Sequence, residues 1–184
     1  MIEGLLCKRK GNRLLRRIRN VLILDISTKK FPNARMKIDE YDWRTIRRRV
    51  GKVHAVSPNS KYSLYAHARW YSKGRDVAIH QLILPNAKEI DHINGNGLDN
   101  TRKNLREVTH AQNQWNRNQQ RDFKRSSQYK GVRWFQPCHK WGAYITQNGI
   151  RFFLGYYTNE ERAARAYNKA ATTLYGSYAR LNRL

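Results

Sequence analysis

Cysteine is nearly absent from these 184 residues: Cys7 and Cys138 stand far apart and in no CxxC pair. Neither a disulfide framework nor a structural zinc is therefore expected, and a reducing compartment fits. Long apolar runs are missing too. The longest, Val21-Leu-Ile-Leu24, falls far short of the ~20 residues that cross a bilayer. The N-terminal segment has no apolar stretch leading to a small-residue cleavage site. An intracellular, cytoplasmic protein with no membrane partner is expected. Acidic residues are scarce, with 13 Asp plus Glu against 37 Lys plus Arg and a net charge of +24. Such a surface suits a polyanion, because bound phosphates release condensed counterions. The bland alternative is a soluble basic protein of the ribosomal kind.

The length allows one medium domain or two small ones. Residues 1–20 are basic, and Leu14, Leu15, Ile18, Val21 and Leu22 have helical spacing. A short amphipathic helix or a basic arm are the two readings of that segment. Val21–Ile26 and Ala34–Ile38 read as strands around a turn containing Pro32. Asp39 suits the N-cap of a helix through Tyr41, Trp43, Ile46 and Val50, carrying Arg44, Arg47, Arg48 and Arg49. Ser63–Trp70 reads as a strand, and Val77–Leu84 as a strand and short helix packing behind the segment that follows. His54, His67 and His80 have no partner at ligand spacing and are read as structural or phosphate-facing, with His80 close to the candidate site.

Chemistry concentrates between Glu89 and Asn113. Asp91 and His92 are adjacent, Asn104 follows His92 by twelve residues, and Asn113 follows Asp91 by twenty-two. A carboxylate that can hold a divalent cation beside an imidazole that can deprotonate water is what phosphodiester hydrolysis needs. Glu89–Ile93 reads as a strand, Asn94–Asn100 as a loop rich in turn formers, and Leu105–Val108 as a returning strand. Thr109-x-x-Gln112 is a capping box that starts a helix running to about Asn116.

This pattern, with the Ile-Asn-Gly-Asn run, Asp99-Asn100, Asn104-Leu-Arg106 and Asn113, resembles the HNH endonuclease family, in a variant with Asn in place of the last His. The resemblance implies a ββα-metal fold with Asp91 and Asn113 as ligands of one divalent ion, Mg²⁺ or Mn²⁺. It implies His92 as general base and Asn104 as a brace of the loop or of His92. The ends produced would be 5′-phosphate and 3′-hydroxyl. Arg102, Lys103 and Arg106 flank the motif and are read as phosphate clamps. Asn116 and Arg117 lie three and four residues beyond Asn113, on the helix face expected toward DNA, while Ala111 and Trp115 are expected to pack on the hairpin.

Residues 117–128 are polar and basic, as in a linker. Beyond them Tyr129–Trp134, Trp141–Gln147 and Arg151–Tyr156 read as strands, with Asn148-Gly149 as a type I′ turn. Thr158-x-x-Glu161 reads as a second capping box, opening a helix with Ala163, Ala164, Tyr167, Ala170, Ala171 and Leu174 on one face and Gly176 beyond it. Tyr129-Lys-Gly-Val-Arg133, Trp141-x-Ala143, Leu154-Gly155, Ala166-Tyr167 and Asn182 make this segment similar to the plant ethylene-response-factor (Apetala-two type) domain. Strict alternation sends Val132, Trp134, Trp141, Ala143, Ile145, Phe152 and Leu154 inward. Arg133, Phe135, Tyr144, Thr146, Arg151 and Phe153 face outward with Lys130 at the edge, a set that the resemblance implies reads the major groove. Exposed aromatics there suit stacking on sugars or thymine methyls. Phe135 and Thr146 stand where that family has arginines and Tyr144 where it has Glu, so the plant target sequence is not expected to carry over.

The sequence thus predicts an α+β chain: a basic segment at 1–20, a nuclease domain at 21–118 with its motif core at 89–117, a linker at 119–127, and a DNA-binding domain at 128–184. The expected function is a site-specific endonuclease of the homing type, phage-encoded or from another mobile element. It would act as a monomer on double-stranded DNA with no protein partner and nick one strand at a time. The alternatives are a DNA-binding regulator that does not cut and a non-specific nuclease.

Overall fold

The computed structural model describes residues 12–57, 63–117 and 126–184. Most of the basic N-terminal segment and of the expected linker lie outside them. Two compact units divide the chain, Met1–Glu107 and Val108–Leu184, and both mix helices with small sheets. Among the described residues no helix is long and apolar enough to cross a membrane.

The first unit begins with strands β1 (Leu14–Ile18), β2 (Val21–Asp25) and β3 (Arg35–Asp39), each antiparallel to its neighbour. Alternation places Leu22 and Leu24 of β2, and Met36 and Ile38 of β3, in the core with Ile26. The segment Leu14–Ile18 is thus an edge strand, neither the helix nor the loose arm that its spacing allowed. Its side chains are all exposed, so a helix there would bury no stripe. Pairing with β2 instead satisfies backbone groups across a tight turn at Arg19, which has φ 52°. Asn12 fastens the start of β1: its amide nitrogen donates to the carbonyls of Asp25 and Val53, and its amide oxygen accepts from Val53 N–H.

Helix α1 (Glu40–Ile46) is shorter than its apolar spacing predicts. Arg47, Arg48 and Arg49 lie beyond it, exposed, and Val50 is drawn into a bridge with Trp70. Asp39 occupies the N-cap position, but its carboxylate accepts the Arg102 backbone N–H at 2.7 Å instead of capping the helix. Strands β4 (His54–Val56), β5 (Tyr65–Trp70) and β6 (Arg75–Ala78) form a second sheet, and α2 (Ile79–Ile83) follows directly. Strand β7 (Ile90–His92), the short β8 (Asp99–Asn100) and β9 (Leu105–Glu107) complete the unit. β7 pairs antiparallel with β9, and β8 pairs parallel with β3. Ile79, Ile83 and Leu105 join the same core as β2 and β3, which anchors the β7–β9 pair on a rigid base.

The second unit opens with α3 (His110–Asn116), started by the expected capping box: Thr109 Oγ1 accepts Gln112 N–H and the Gln112 side chain accepts Thr109 N–H. Trp115 of α3 stacks on Tyr175 at 4.7 Å and 10°, within an apolar cluster of the second unit, and Ala111 is exposed. Trp115 was expected against the nuclease hairpin; its ring finds a flat aromatic partner in its own unit. Strands β10 (Val132–Phe135), β11 (Lys140–Gln147) and β12 (Ile150–Tyr157) form an antiparallel sheet covered by α4 (Glu160–Tyr175). Asn148 and Gly149 both have positive φ, 51° and 79°, as a type I′ turn requires. The cap of α4 is Asn159 rather than Thr158, its side chain accepting the N–H groups of Glu161 and Arg162.

A bulge in β12 breaks the expected alternation. Ala143 pairs with Gly155 but Tyr144 pairs with Phe153, so Leu154 is the extra residue. Gly155 takes φ 125°, where a side chain would be strained. The bulge turns Tyr156 to the outer face, and Phe152, expected in the core, is 44 % exposed near the strand end.

Candidate active site and outer sheet face

Strand β7 ends on the two residues with the most chemistry, and β9 supplies what stands opposite. Asp91 and His92 are both buried. Asp91 pairs in register with Arg106, whose Nε and Nη2 donate to Asp91 Oδ2 at 2.9 and 2.7 Å. Arg106 was expected to clamp phosphate; its guanidinium instead lies on the Asp91 carboxylate, because cross-strand partners on one face are neighbours.

His92 Nε2 lies 3.4 Å from the Asn100 side-chain oxygen. That oxygen can only accept, so a hydrogen bond here requires the proton on Nε2. Asn100 is itself fixed: it is fully buried on β8, and its amide nitrogen donates to Gly97. Burial lowers the His92 pKa below its ordinary value, against the raising effects of Asn100 and of the Asp91 and Asp99 charges. An imidazole held neutral is a proton acceptor near pH 7.

Two further rings enclose His92, both brought from the β5–α2 region. His80 meets it edge-on at 5.1 Å and Tyr65 at 5.9 Å, and the two also meet each other. His80 Nδ1 is buried with no hydrogen-bond partner, and burial first, then the neighbouring His92 and His67, push its pKa down to about 3. Gly97 brings the loop this close, since a Cβ there would lie 2.5 Å from Tyr65 ring carbon and from the Leu64 carbonyl. Asn104 spans the loop: its oxygen accepts Asn94 N–H at 3.0 Å and its nitrogen donates to the Asp99 carbonyl at 2.7 Å. Asp99 Oδ2 accepts from Asn94 and Oδ1 from Thr101. Asn100 entered the sequence pattern only within the Asp99-Asn100 pair, with no role, and Tyr65 was not singled out. For Asn100 the signal was an Asx residue closing the loop; for Tyr65 there was none.

The flanking cations separate. Lys103 is exposed. Arg102 forms a two-pronged ion pair with buried Asp42, Nε and Nη2 reaching its two oxygens at 2.8–3.2 Å, so its expected clamp role gives way to holding α1 to the loop. On α3, Asn113 is half-buried, Arg117 is exposed, and Asn116 is 5 % exposed where a DNA-facing side chain was expected. Lys130 also departs from expectation. Its ammonium donates to the carbonyls of Trp115 and Arg117 at 2.6 and 2.9 Å, a cation on the C-terminal end of a helix.

The outer face of the second unit's sheet holds the rest. Register places Arg133 beside Gly142, Tyr144 beside Phe153 and Thr146 beside Arg151, with Phe135 at the end of β10. The Arg151 guanidinium lies 4.6 Å over the Tyr144 ring. Tyr156 joins this face through the bulge.

Among the described residues no group of three or more His, Cys, Asp and Glu side chains could hold a metal ion; Asp91 offers one hard carboxylate of the kind a divalent cation takes, and the Arg106 guanidinium lies on it. Comparison with known proteins agrees with the geometry. The family model described as HNH endonuclease matches residues 83–115. An uncharacterized HNH endonuclease of Acanthamoeba polyphaga mimivirus is 32% identical over 136 residues, covering 68% of this chain and 69% of that protein. An AP2/ERF and B3 domain-containing protein of Oryza sativa subsp. japonica is 47% identical over 57 residues, 31% of this chain and 15% of the plant protein. An APETALA2-like protein 2 of Oryza sativa subsp. indica is 38% identical over 58 residues, 32% of this chain and 13% of the plant protein. The plant likeness is confined to a short part of much longer proteins. The buried Asp-His pair, the matched motif and a viral relative covering two thirds of the chain together make this protein a member of the HNH endonuclease family.

Proposed function

We propose that this chain is a metal-dependent, site-specific endonuclease of the homing type that nicks duplex DNA. The observation that carries the reading is the adjacent, buried Asp91 and His92 on β7, with the Asn100 side-chain oxygen 3.4 Å from His92 Nε2. Asp91 would supply the carboxylate ligand of one divalent ion, Mg²⁺ or Mn²⁺. Such an ion, when bound, polarises the phosphate and offsets charge on the leaving oxygen. His92 takes the proton of the attacking water, and burial, which lowers its pKa, keeps the imidazole unprotonated. Asn104 and Asn100 hold the loop so that the imidazole does not turn. The products are a 5′-phosphate and a 3′-hydroxyl.

Lys103 and Arg117, both exposed, would meet phosphates of the bound DNA. The second unit docks its outer sheet face on the duplex through Arg133, Phe135, Tyr144, Thr146, Arg151 and Phe153. One Asp-His pair per chain supports one strand cut per event by a monomer. The test is cleavage of supercoiled plasmid carrying candidate target DNA with Mg²⁺, Mn²⁺ or EDTA, for the natural chain and for His92→Ala. Metal-dependent nicked circle that disappears in the variant is the expected result. Tight binding without cutting in either metal would replace this reading by that of a DNA-binding regulator.

A further inference from the structure

Four aromatic rings form one continuous run across the outer face of the β10–β11–β12 sheet. Phe135 stacks on Tyr156 at 5.2 Å and 26°, Tyr156 meets Phe153 edge-on at 4.7 Å, and Phe153 meets Tyr144 at 5.3 Å. Two local devices build it. The bulge at Leu154 turns Tyr156 outward, and Gly142 clears the floor, since a Cβ there would lie 2.9 Å from the Tyr144 ring. Phe153 is 51 % exposed and Tyr156 41 %, so the middle of the face carries uncovered apolar surface. A contiguous patch of that kind marks a binding surface rather than scattered exposure.

Its surroundings choose the occupant. Arg133 stands beside Gly142 and Arg151 lies over Tyr144, so guanidinium groups flank the rings, on a chain of net charge +24. That setting suits duplex DNA. In the major groove the base edges are donors and acceptors, with one apolar group among them, the C5 methyl of thymine. Ring carbons pressed on carbonyl or amino groups would strip water and return no hydrogen bond. Ring carbons pressed on methyls bury apolar surface on both sides.

We propose that the Phe135–Tyr156–Phe153–Tyr144 run is a thymine-methyl reader, so that the second unit selects duplex sites with clustered thymines beneath these rings. This rests on the reading of the second unit as a DNA-docking module. The flanking arginines hold the sheet in the groove, and the rings set the base preference.

The experiment uses the full chain in EDTA, where no cleavage competes. Binding sites are selected from random duplexes, and the selected duplex is remade with deoxyuridine in place of thymine, which removes only the methyl. The expected result is a thymine-containing site whose affinity falls about fourfold per contacted methyl, the worth of one buried CH₂. Phe153→Ala and Tyr156→Ala, both exposed positions, should bind more weakly and lose the difference between the two duplexes. A selected site without thymines, or equal affinity for both duplexes, overturns the methyl reading and leaves DNA docking intact. A difference that persists undiminished in both variants assigns it to DNA shape and also overturns the proposal. No sequence-selected binding at all removes the docking reading on which it rests.

Discussion

Arg106 and Asp91 stand opposite each other across the β7–β9 pair, the guanidinium donating twice to one carboxylate oxygen of the expected metal ligand. Their side chains are 15 % and 8 % exposed, so each neutralises a charge that water scarcely reaches. Removing one partner of such a pair leaves a buried charge uncompensated, at a cost of roughly 3 kcal/mol. Arg106→Gln should therefore lower the melting temperature clearly in EDTA. Mn²⁺ should restore more stability to the variant than it adds to the natural chain, because the ion meets a carboxylate with no guanidinium competing for it. Thermal melts of both proteins with and without Mn²⁺ decide the matter. Equal stabilisation by the ion would mean that guanidinium and metal do not share Asp91.

The His92–Asn100 contact carries a prediction about pH. Burial lowers the His92 pKa, so the base stays unprotonated below the ordinary imidazole value of ~6.5. The acid limb of cleavage rate against pH should accordingly lie below that value. Asn100→Asp places a carboxylate against Nε2, stabilises the imidazolium and should move the limb to higher pH. Asn100→Ala frees the ring and should lower the single-turnover rate by ~10² or more, the usual worth of a positioned base. An unmoved limb in the Asp variant would remove Asn100 from this role.

Much of this geometry was legible because the signals are local. Asp91-His92, the Thr109 capping box and the Asn148-Gly149 turn each complete themselves within a few residues. Partners brought from elsewhere in the chain were not legible. Nothing near Arg102 announces Asp42, and no spacing rule announces Tyr65 beside His92. Leu14, Leu15 and Ile18 satisfy a helical wheel as well as an edge strand, and the choice falls to the backbone groups of β2. One inserted residue at Leu154 defeated strict alternation and delivered Tyr156 to the outer face. Gly155 was the one local hint, as a position able to hold positive φ.

His80 predicts an acid weakness in the first unit. Its pKa is about 3 when folded, chiefly through burial, against ~6.5 when unfolded. Between those values the unfolded chain binds more protons, so stability is lost as pH falls below ~6.5. At pH 5.5 the loss is on the order of 1 kcal/mol. His80→Phe keeps a ring against His92 and Tyr65 but does not titrate. The melting temperature should fall less steeply from pH 7.5 to 5 in that variant than in the natural chain, by circular dichroism. Parallel slopes would show that the acid sensitivity lies elsewhere.

Lys130 and Arg133 lie three residues apart and should differ in their response to salt. The Lys130 ammonium is taken up by two carbonyls at the end of α3, whereas Arg133 is exposed on the outer sheet face. A residue that neutralises a phosphate contributes ~0.9 to the slope of log affinity against log salt. Arg133→Ala should weaken DNA binding and, if the guanidinium meets phosphate, flatten the slope by about one; if it meets a base edge, the loss falls on selected over random sequence instead. Lys130→Met should leave the slope unchanged and act on the fold. The α3 end loses its cation, the Trp115–Tyr175 stack loosens, and the melting temperature of the second unit drops. Titrations at several salt concentrations beside thermal melts separate the two. A flattened slope with an unchanged melt for Lys130→Met would return that lysine to the DNA surface.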